Sequence, residues 1–78
     1  MWFIYVIESV NAGRRYVGIT TNIEKRIASH NRGKTPSTKA YLPWNLIYQE
    51  QAKDKSEAAE RERFLKSGKG RDFLKSIA

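Results

Sequence analysis

From Trp2 to Ser9 the chain is β-branched and aromatic with almost no polar interruption. Alternation of polar and apolar positions would mark a strand with one wet face. An unbroken apolar run instead predicts a strand covered on both faces, in the middle of a small sheet. Asn11, Ala12 and Gly13 supply a turn, and Arg15 to Thr20 read as a second strand. So short a connection makes an antiparallel hairpin the economical topology. Gly18 interrupts the second strand where another group can approach the backbone closely.

The period then changes. Thr21-Asn22-Ile23-Glu24 has the spacing of a capping box, in which a hydroxyl and a carboxylate each satisfy an amide at a helix start. The helix runs to about Asn31, Gly33 stops it, and the Pro-, Ser- and Thr-containing stretch 34–43 reads as a loop. Trp44 to Glu50 form a third strand. Asp54-Lys55-Ser56-Glu57 offers a second helix start, with the helix continuing to about Ser67. Gly68 and Gly70 then break the chain before a short terminal helix over 70–77, which carries Phe73, Leu74 and Ile77. The expected class is α+β: a small three-stranded antiparallel sheet flanked by helices, in the order ββαβαα. No internal repeat or linker divides the chain, so residues 1–78 read as a single domain.

Composition adds a partner class. Forty per cent hydrophobic residues support a packed core, which 29% charged residues keep thin. Fifteen Lys and Arg against eight Asp and Glu give a net charge of +7, which spreads positive potential over a surface this small and points to polyanions. Cysteine is absent, which excludes disulfides, thiolate metal sites and a Cys nucleophile. The apolar start is too short to span a bilayer and lacks a preceding basic region, so the expectation is a cytoplasmic protein with no membrane association.

Three placements bear on chemistry. Arg26 and His30 lie one turn apart on the first helix, beside the stripe formed by Ile23 and Ile27. The plain explanation is an arginine stem laid over the core and a histidine satisfied at its margin. On the second helix Glu62 stands four residues after Ala58 and three before Leu65, which puts a carboxylate on the apolar side, where an acid needs a partner. An ion pair with Lys66 one turn later would suffice. Tyr5 and Tyr16, taken singly, are ordinary strand residues.

Taken in order, Phe3-Ile4-Tyr5, Tyr16-Val17-Gly18, Arg26, His30-Asn31 and Glu62 resemble the GIY-YIG nuclease family. The likeness covers essentially the whole chain and is nearest to the short, single-domain branch, similar to the nuclease domain of the nucleotide-excision-repair C subunit. The run Tyr16-Val17-Gly18-Ile19-Thr20 and the tail Glu62-Arg63-Phe64-Leu65-Lys66-Ser67-Gly68 look like its recurring signatures. The resemblance implies Tyr5 and Tyr16 as the motif tyrosines, Gly18 as the closing glycine, Arg26 as the catalytic arginine, His30 as the polar residue one turn later, and Glu62 as the ligand of one Mg²⁺ or Mn²⁺ ion. Phe3 replaces the first glycine of the motif, which removes backbone freedom at the start of the first strand.

Those residue types suit phosphodiester hydrolysis. A single carboxylate is a common way to hold magnesium, with other positions left to water and phosphate oxygens. Arginine offers a permanently charged fork to the phosphate. A tyrosine hydroxyl, with a pKa of about 10, becomes a base only beside cationic groups, and the resemblance implies Tyr16 in that role, with His30 and Tyr5 completing the network. No Walker loop, His-rich zinc spacing, second carboxylate cluster or nucleophile elbow offers a competing chemistry. The leading reading is therefore a metal-dependent endonuclease acting on nucleic acid, with DNA the expected kind, in a DNA-repair context. A non-catalytic nucleic-acid-binding module on the same scaffold and a protein-interaction domain remain open alternatives.

Overall fold

The apolar run at the start of the chain becomes the central strand. In a computed structural model that describes residues 1–77, β1 (Trp2–Ser9) pairs antiparallel with β2 (Arg15–Thr20) and with β3 (Trp44–Ala52), giving the order β2-β1-β3. Helices α1 (Ile23–Asn31), α2 (Pro36–Lys39), α3 (Lys55–Lys66) and α4 (Gly68–Ile77) complete the α+β fold. The expected single-domain span includes Ala78, which lies outside the described residues.

Alternation along β1 divides its side chains between two cores, because successive residues of a strand point to opposite faces. Ile4 and Val6 join Val17, Ala52, Ala58, Leu65 and Leu74 in one core, beneath α3 and α4. Tyr5 and Ile7 join Trp44 in the other, where Tyr16, Ile23, Ile27, Tyr41 and Leu42 pack against them. Both faces of β1 are thus covered, which is why it is apolar up to Glu8 and Ser9 at its end. Between Val6 and Ile7 the pairing with β3 slips by one residue, so Ile47 is the extra residue of a bulge and packs with Tyr48 on the α3/α4 side. Phe3 sits in regular pairing, opposite Thr20 and Gln51, and no described residue other than glycine has positive φ. The motif's missing first glycine therefore leaves the strand undistorted.

Local details differ from the sequence expectation in four places. Asn22, not Thr21, caps α1, its side chain accepting from the Lys25 amide at 3.0 Å; the Thr20 hydroxyl already accepts from the Asn22 amide at 3.1 Å. The loop over 34–43 contains one helical turn, α2, with Pro36 in its first turn, where the missing N–H costs nothing. Strand β3 runs two residues past Glu50 to Ala52, which is buried in the core. Finally, Gly70 does not break the last helix but lies inside it. Ser67 is extended, and its Oγ accepts from the Gly70 amide at 3.2 Å, starting α4 at Gly68. Asp54 caps α3 as expected, accepting from the Glu57 amide at 2.9 Å.

A methyl group on Gly70 would overlap the Phe64 carbonyl oxygen and the Leu65 backbone, whereas nothing lies within 4 Å of one on Gly68. Backbone cannot step aside as a flexible side chain can. Gly70→Ala is expected to destabilise the protein by about 1–3 kcal/mol despite alanine's better helix propensity. Gly68→Ala should be neutral or stabilising by up to about 1 kcal/mol. Denaturant melts of the two variants check the contrast, and equal effects would contradict the packing account.

Candidate active site

On the α1 face of the sheet Tyr5 lies directly opposite Gly18 in the β1–β2 pairing. Its ring runs across that glycine: a methyl group at Gly18 would stand 2.5 Å from the Tyr5 hydroxyl oxygen. The interruption in the second strand is thus the space through which the phenol passes. Tyr16 is two pairing steps away, opposite Ile7 and so on the same face, and its ring centroid is 6.3 Å from that of Tyr5.

The Tyr5 hydroxyl meets two residues of α1. His30 Nε2 is 2.8 Å away, and Arg26 Nε donates to the hydroxyl oxygen at 3.2 Å. The other imidazole nitrogen, Nδ1, is 2.9 Å from the Thr38 hydroxyl, and that hydroxyl donates to the Thr35 carbonyl at 3.3 Å. These contacts assign the protons. Since the Thr38 proton goes to Thr35, Thr38 must accept from Nδ1–H, which leaves Nε2 as the acceptor of the Tyr5 proton. The phenol oxygen then has its lone pairs for Arg26. Tyr5, His30 and Thr38 are each completely buried.

Electrostatics agrees with this neutral imidazole. Burial, followed by the nearby Arg26 charge, holds the His30 pKa below the ordinary value. Burial also raises the Tyr5 pKa, against the opposing hydrogen bond and charge of Arg26, with Tyr16 and Glu62 adding to the rise. Arg26 is held more firmly protonated, first by its bond to Tyr5 and more weakly by Tyr16. It forms no ion pair with any described residue. The site therefore presents a guanidinium anchored by the Tyr5 phenol and without an acidic ion-pair partner among the described residues.

The Thr38 turn is tied to the sheet as well. Trp44 Nε1 donates to the Thr38 carbonyl at 2.8 Å. Asn31 binds the Trp44 backbone from both ends of its amide, accepting from N at 2.8 Å and donating to O at 3.1 Å. Thr35 and Thr38 were not among the residues singled out from the sequence. Only Pro36 after Thr35 hints at a helical turn there, and it says nothing of where the Thr38 hydroxyl points.

Tyr5, Tyr16, Gly18, Arg26 and His30 gather on the α1 face; Glu62 comes from the other layer. It stands on α3, whose Ala58 and Leu65 are buried against the opposite face of the sheet. Its carboxylate nonetheless lies close enough to raise the Tyr5 pKa, and its direct partner is Lys66 Nζ at 3.2 Å. Its side chain is 25% exposed and that of Lys66 55%, so solvent reaches this ion pair. Among the described residues no three His, Asp or Glu side chains converge to form a metal cage.

A strand hairpin carrying two tyrosines and a glycine, followed by a helix carrying arginine and histidine, is the architecture of a particular catalytic family. A sequence model of the GIY-YIG catalytic domain matches residues 1–75, and the chain belongs to that family. It is similar to the UPF0213 protein SH2523 of Staphylococcus haemolyticus, with 41% identity over 96% of this chain and 92% of that one. It is also 40% identical to the UPF0213 protein DP2720 of Desulfotalea psychrophila over 83% of this chain, a match that spans only 60% of that longer relative. The solution NMR structure of the UPF0213 protein BH0048 from Bacillus halodurans superposes with a TM-score of 0.58 at 30% identity, covering 99% of this chain and 85% of that one.

A pH prediction follows from His30. Its folded pKa lies below the value of about 6.5 for an unfolded histidine, so the unfolded chain takes up the proton first as pH falls. The stability this residue contributes is complete above about pH 6.5, is lost as pH drops, and levels off below the folded pKa. Thermal melts of the wild type should decline between about pH 7 and pH 5, and His30→Gln should flatten that segment. An unchanged slope in the variant would remove His30 from the account. Tyr5→Phe, which leaves the buried Nε2 without its donor, should cost about 1–3 kcal/mol in a denaturant melt.

Proposed function

We propose that this protein is a metal-dependent endonuclease that hydrolyses phosphodiester bonds in nucleic acid, with DNA the favoured substrate. The observation that carries the proposal is the Arg26 guanidinium, hydrogen-bonded to the buried Tyr5 hydroxyl with no ion-pair partner among the described acids. Such a group binds an anion, and a phosphate is the anion a guanidinium fork fits best. Nε is committed to Tyr5, which leaves the terminal nitrogens for phosphate oxygens. Because the anchor is prebuilt, little reorganisation is needed as charge grows on those oxygens.

Assignment of the two tyrosines rests on their surroundings. Tyr5 has a raised pKa and its proton is already placed on the His30 acceptor, so it serves as a fixed support. Tyr16 is the half-buried member, with Arg26 beside it, and the family resemblance gives it the role of general base toward water. His30 meets Tyr16 only through its ring, at 5.0 Å between centroids, and acts by orienting Tyr5.

Glu62 has the donor chemistry for one Mg²⁺ or Mn²⁺ ion. It is a single hard carboxylate, open to solvent and paired only with a lysine that is itself exposed. When bound there, the ion would supply charge neutralisation at the phosphate and the departing oxygen. Without it, the Glu62–Lys66 pair favours the second reading, a non-catalytic nucleic-acid-binding module on the same scaffold.

The deciding experiment is a cleavage panel of single-stranded, duplex, flapped and branched DNA with magnesium or manganese. The nuclease reading expects cutting of at least one substrate, abolished by chelator. Glu62→Gln should abolish the metal-dependent rate while retaining the wild-type melting curve, since it removes charge but not shape. Arg26→Ala should slow cleavage on the order of a hundredfold to a thousandfold. Binding without any cleavage would establish the module reading instead.

A further inference from the structure

The surface concavities differ in charge. One, between β3 and α3, is lined by Glu50, Glu57 and Glu60 as well as Arg61, and so disfavours a polyanion. Another, beside α1, offers Glu24 and no cation. The third is a groove of about 640 Å³ between β2 and the α3–α4 corner. Arg15, Lys66, Arg71 and Lys75 line it, over a floor that includes Val17 and Leu74, and Tyr16 stands at its margin. Its one acid, Glu8, is taken up by Arg15 at 3.0 Å.

Two of these cations have no structural employment. Arg71 and Lys75 form no ion pair with any described residue. They are one helical turn apart on α4, an arrangement of like charges that costs a helix a few tenths of a kcal/mol. An anionic ligand would relieve that repulsion. The groove also adjoins the chemistry proposed above at the β2 edge: Tyr16, the assigned base, is among its lining residues although its ring packs on the α1 face, and Lys66 is the partner of Glu62, the assigned metal ligand.

We infer that this groove carries a single strand of nucleic acid, its backbone phosphates resting on Arg71 and Lys75 as the strand leads away from Tyr16. The inference rests on the nuclease reading for its direction, but not for the binding itself. A cleft of about 640 Å³ is in the size range of small-ligand sites, which suits a short segment of one strand. Cations spaced along an apolar floor are the usual means of holding a strand without reading its bases.

The test is a binding titration in chelator, so that no cleavage intervenes, with a fluorescently labelled oligothymidine of about 16 nucleotides and a blunt duplex of equal length. The variant is R71Q/K75Q, and K34Q/K53Q, exposed positions outside the groove, removes the same net charge. R71Q/K75Q should weaken single-strand binding roughly tenfold or more at 0.1 M salt and lower the salt slope by about 1.4, at about 0.7 per lost phosphate contact. The control and the duplex should change much less. The melting curve of R71Q/K75Q should match the wild type. Unchanged affinity and slope, equal loss in the control, equal loss on the duplex, or no single-strand binding by the wild type at low salt would each overturn the groove. If the groove variant loses binding while no substrate is ever cut, the groove stands and the nuclease reading fails. If the wild type cuts and R71Q/K75Q binds unchanged, the reverse holds.

Discussion

The hydroxyl of Tyr5 is where the sheet, the first helix and the following loop are made to agree. It is completely buried, and a buried hydroxyl without partners costs about 1–3 kcal/mol, a large part of the stability of so small a protein. Satisfying it sets a series of requirements. Position 18 must be glycine for the ring to pass, and His30 must present Nε2 as an acceptor. Thr38 must then receive the other imidazole proton, which requires the helical turn at Pro36–Lys39 and its tie to the Trp44 indole. Among the described residues no buried side-chain nitrogen or oxygen is left without a partner. Arg26 is the beneficiary: its charge is held at a fixed point by a phenol that cannot move.

The second layer is organised by a different contact. Arg61 on α3 donates through Nε to both oxygens of Glu50 on β3, at 2.8 and 3.0 Å, while its guanidinium stacks over Phe64 and Phe73. Tyr48 donates its hydroxyl to the same carboxylate, and burial, followed by that carboxylate, raises its pKa. This clamp fixes the rotation of α3, and the close approach at Gly70 fixes α4 against it. Lys66 thereby lines the groove with Arg71 and Lys75, and Glu62 pairs with Lys66 beside it. The two layers thus carry different groups, one the phenols and the arginine, the other Glu62 and the groove cations.

Much of this was written locally. An unbroken apolar run identified the central strand, since only a strand buried on both faces can dispense with polar positions. Asp54 and Glu57 marked the start of α3 because a cap acts on an amide three residues away. Arg26 and His30 were legible as neighbours, because one helical turn puts them on one side wherever the helix docks. The Asn22 cap was misplaced by one residue because Thr20, Thr21 and Asn22 are all able to cap, and the choice was made by the end of β2. Gly70 reads equally as a breaker or as a contact point, and only the position of Phe64 decides between them.

By itself, then, the sequence determined every element but the short turn α2, their order, the antiparallel hairpin and the identity of the polar residues available for chemistry, all of which depend on neighbours a few positions apart. The tertiary structure decided which of those residues meet. The bonds that make the site join Tyr5 to Arg26 and His30 across 21 and 25 residues, and the Asn31–Trp44 bracket spans 13. It also decided that Glu62 would stand on the opposite layer, and that scattered cations would line a groove with Tyr16 among its lining residues. Periodicity cannot report such meetings, because each depends on how two separately encoded elements pack and on which buried polar groups must then find partners.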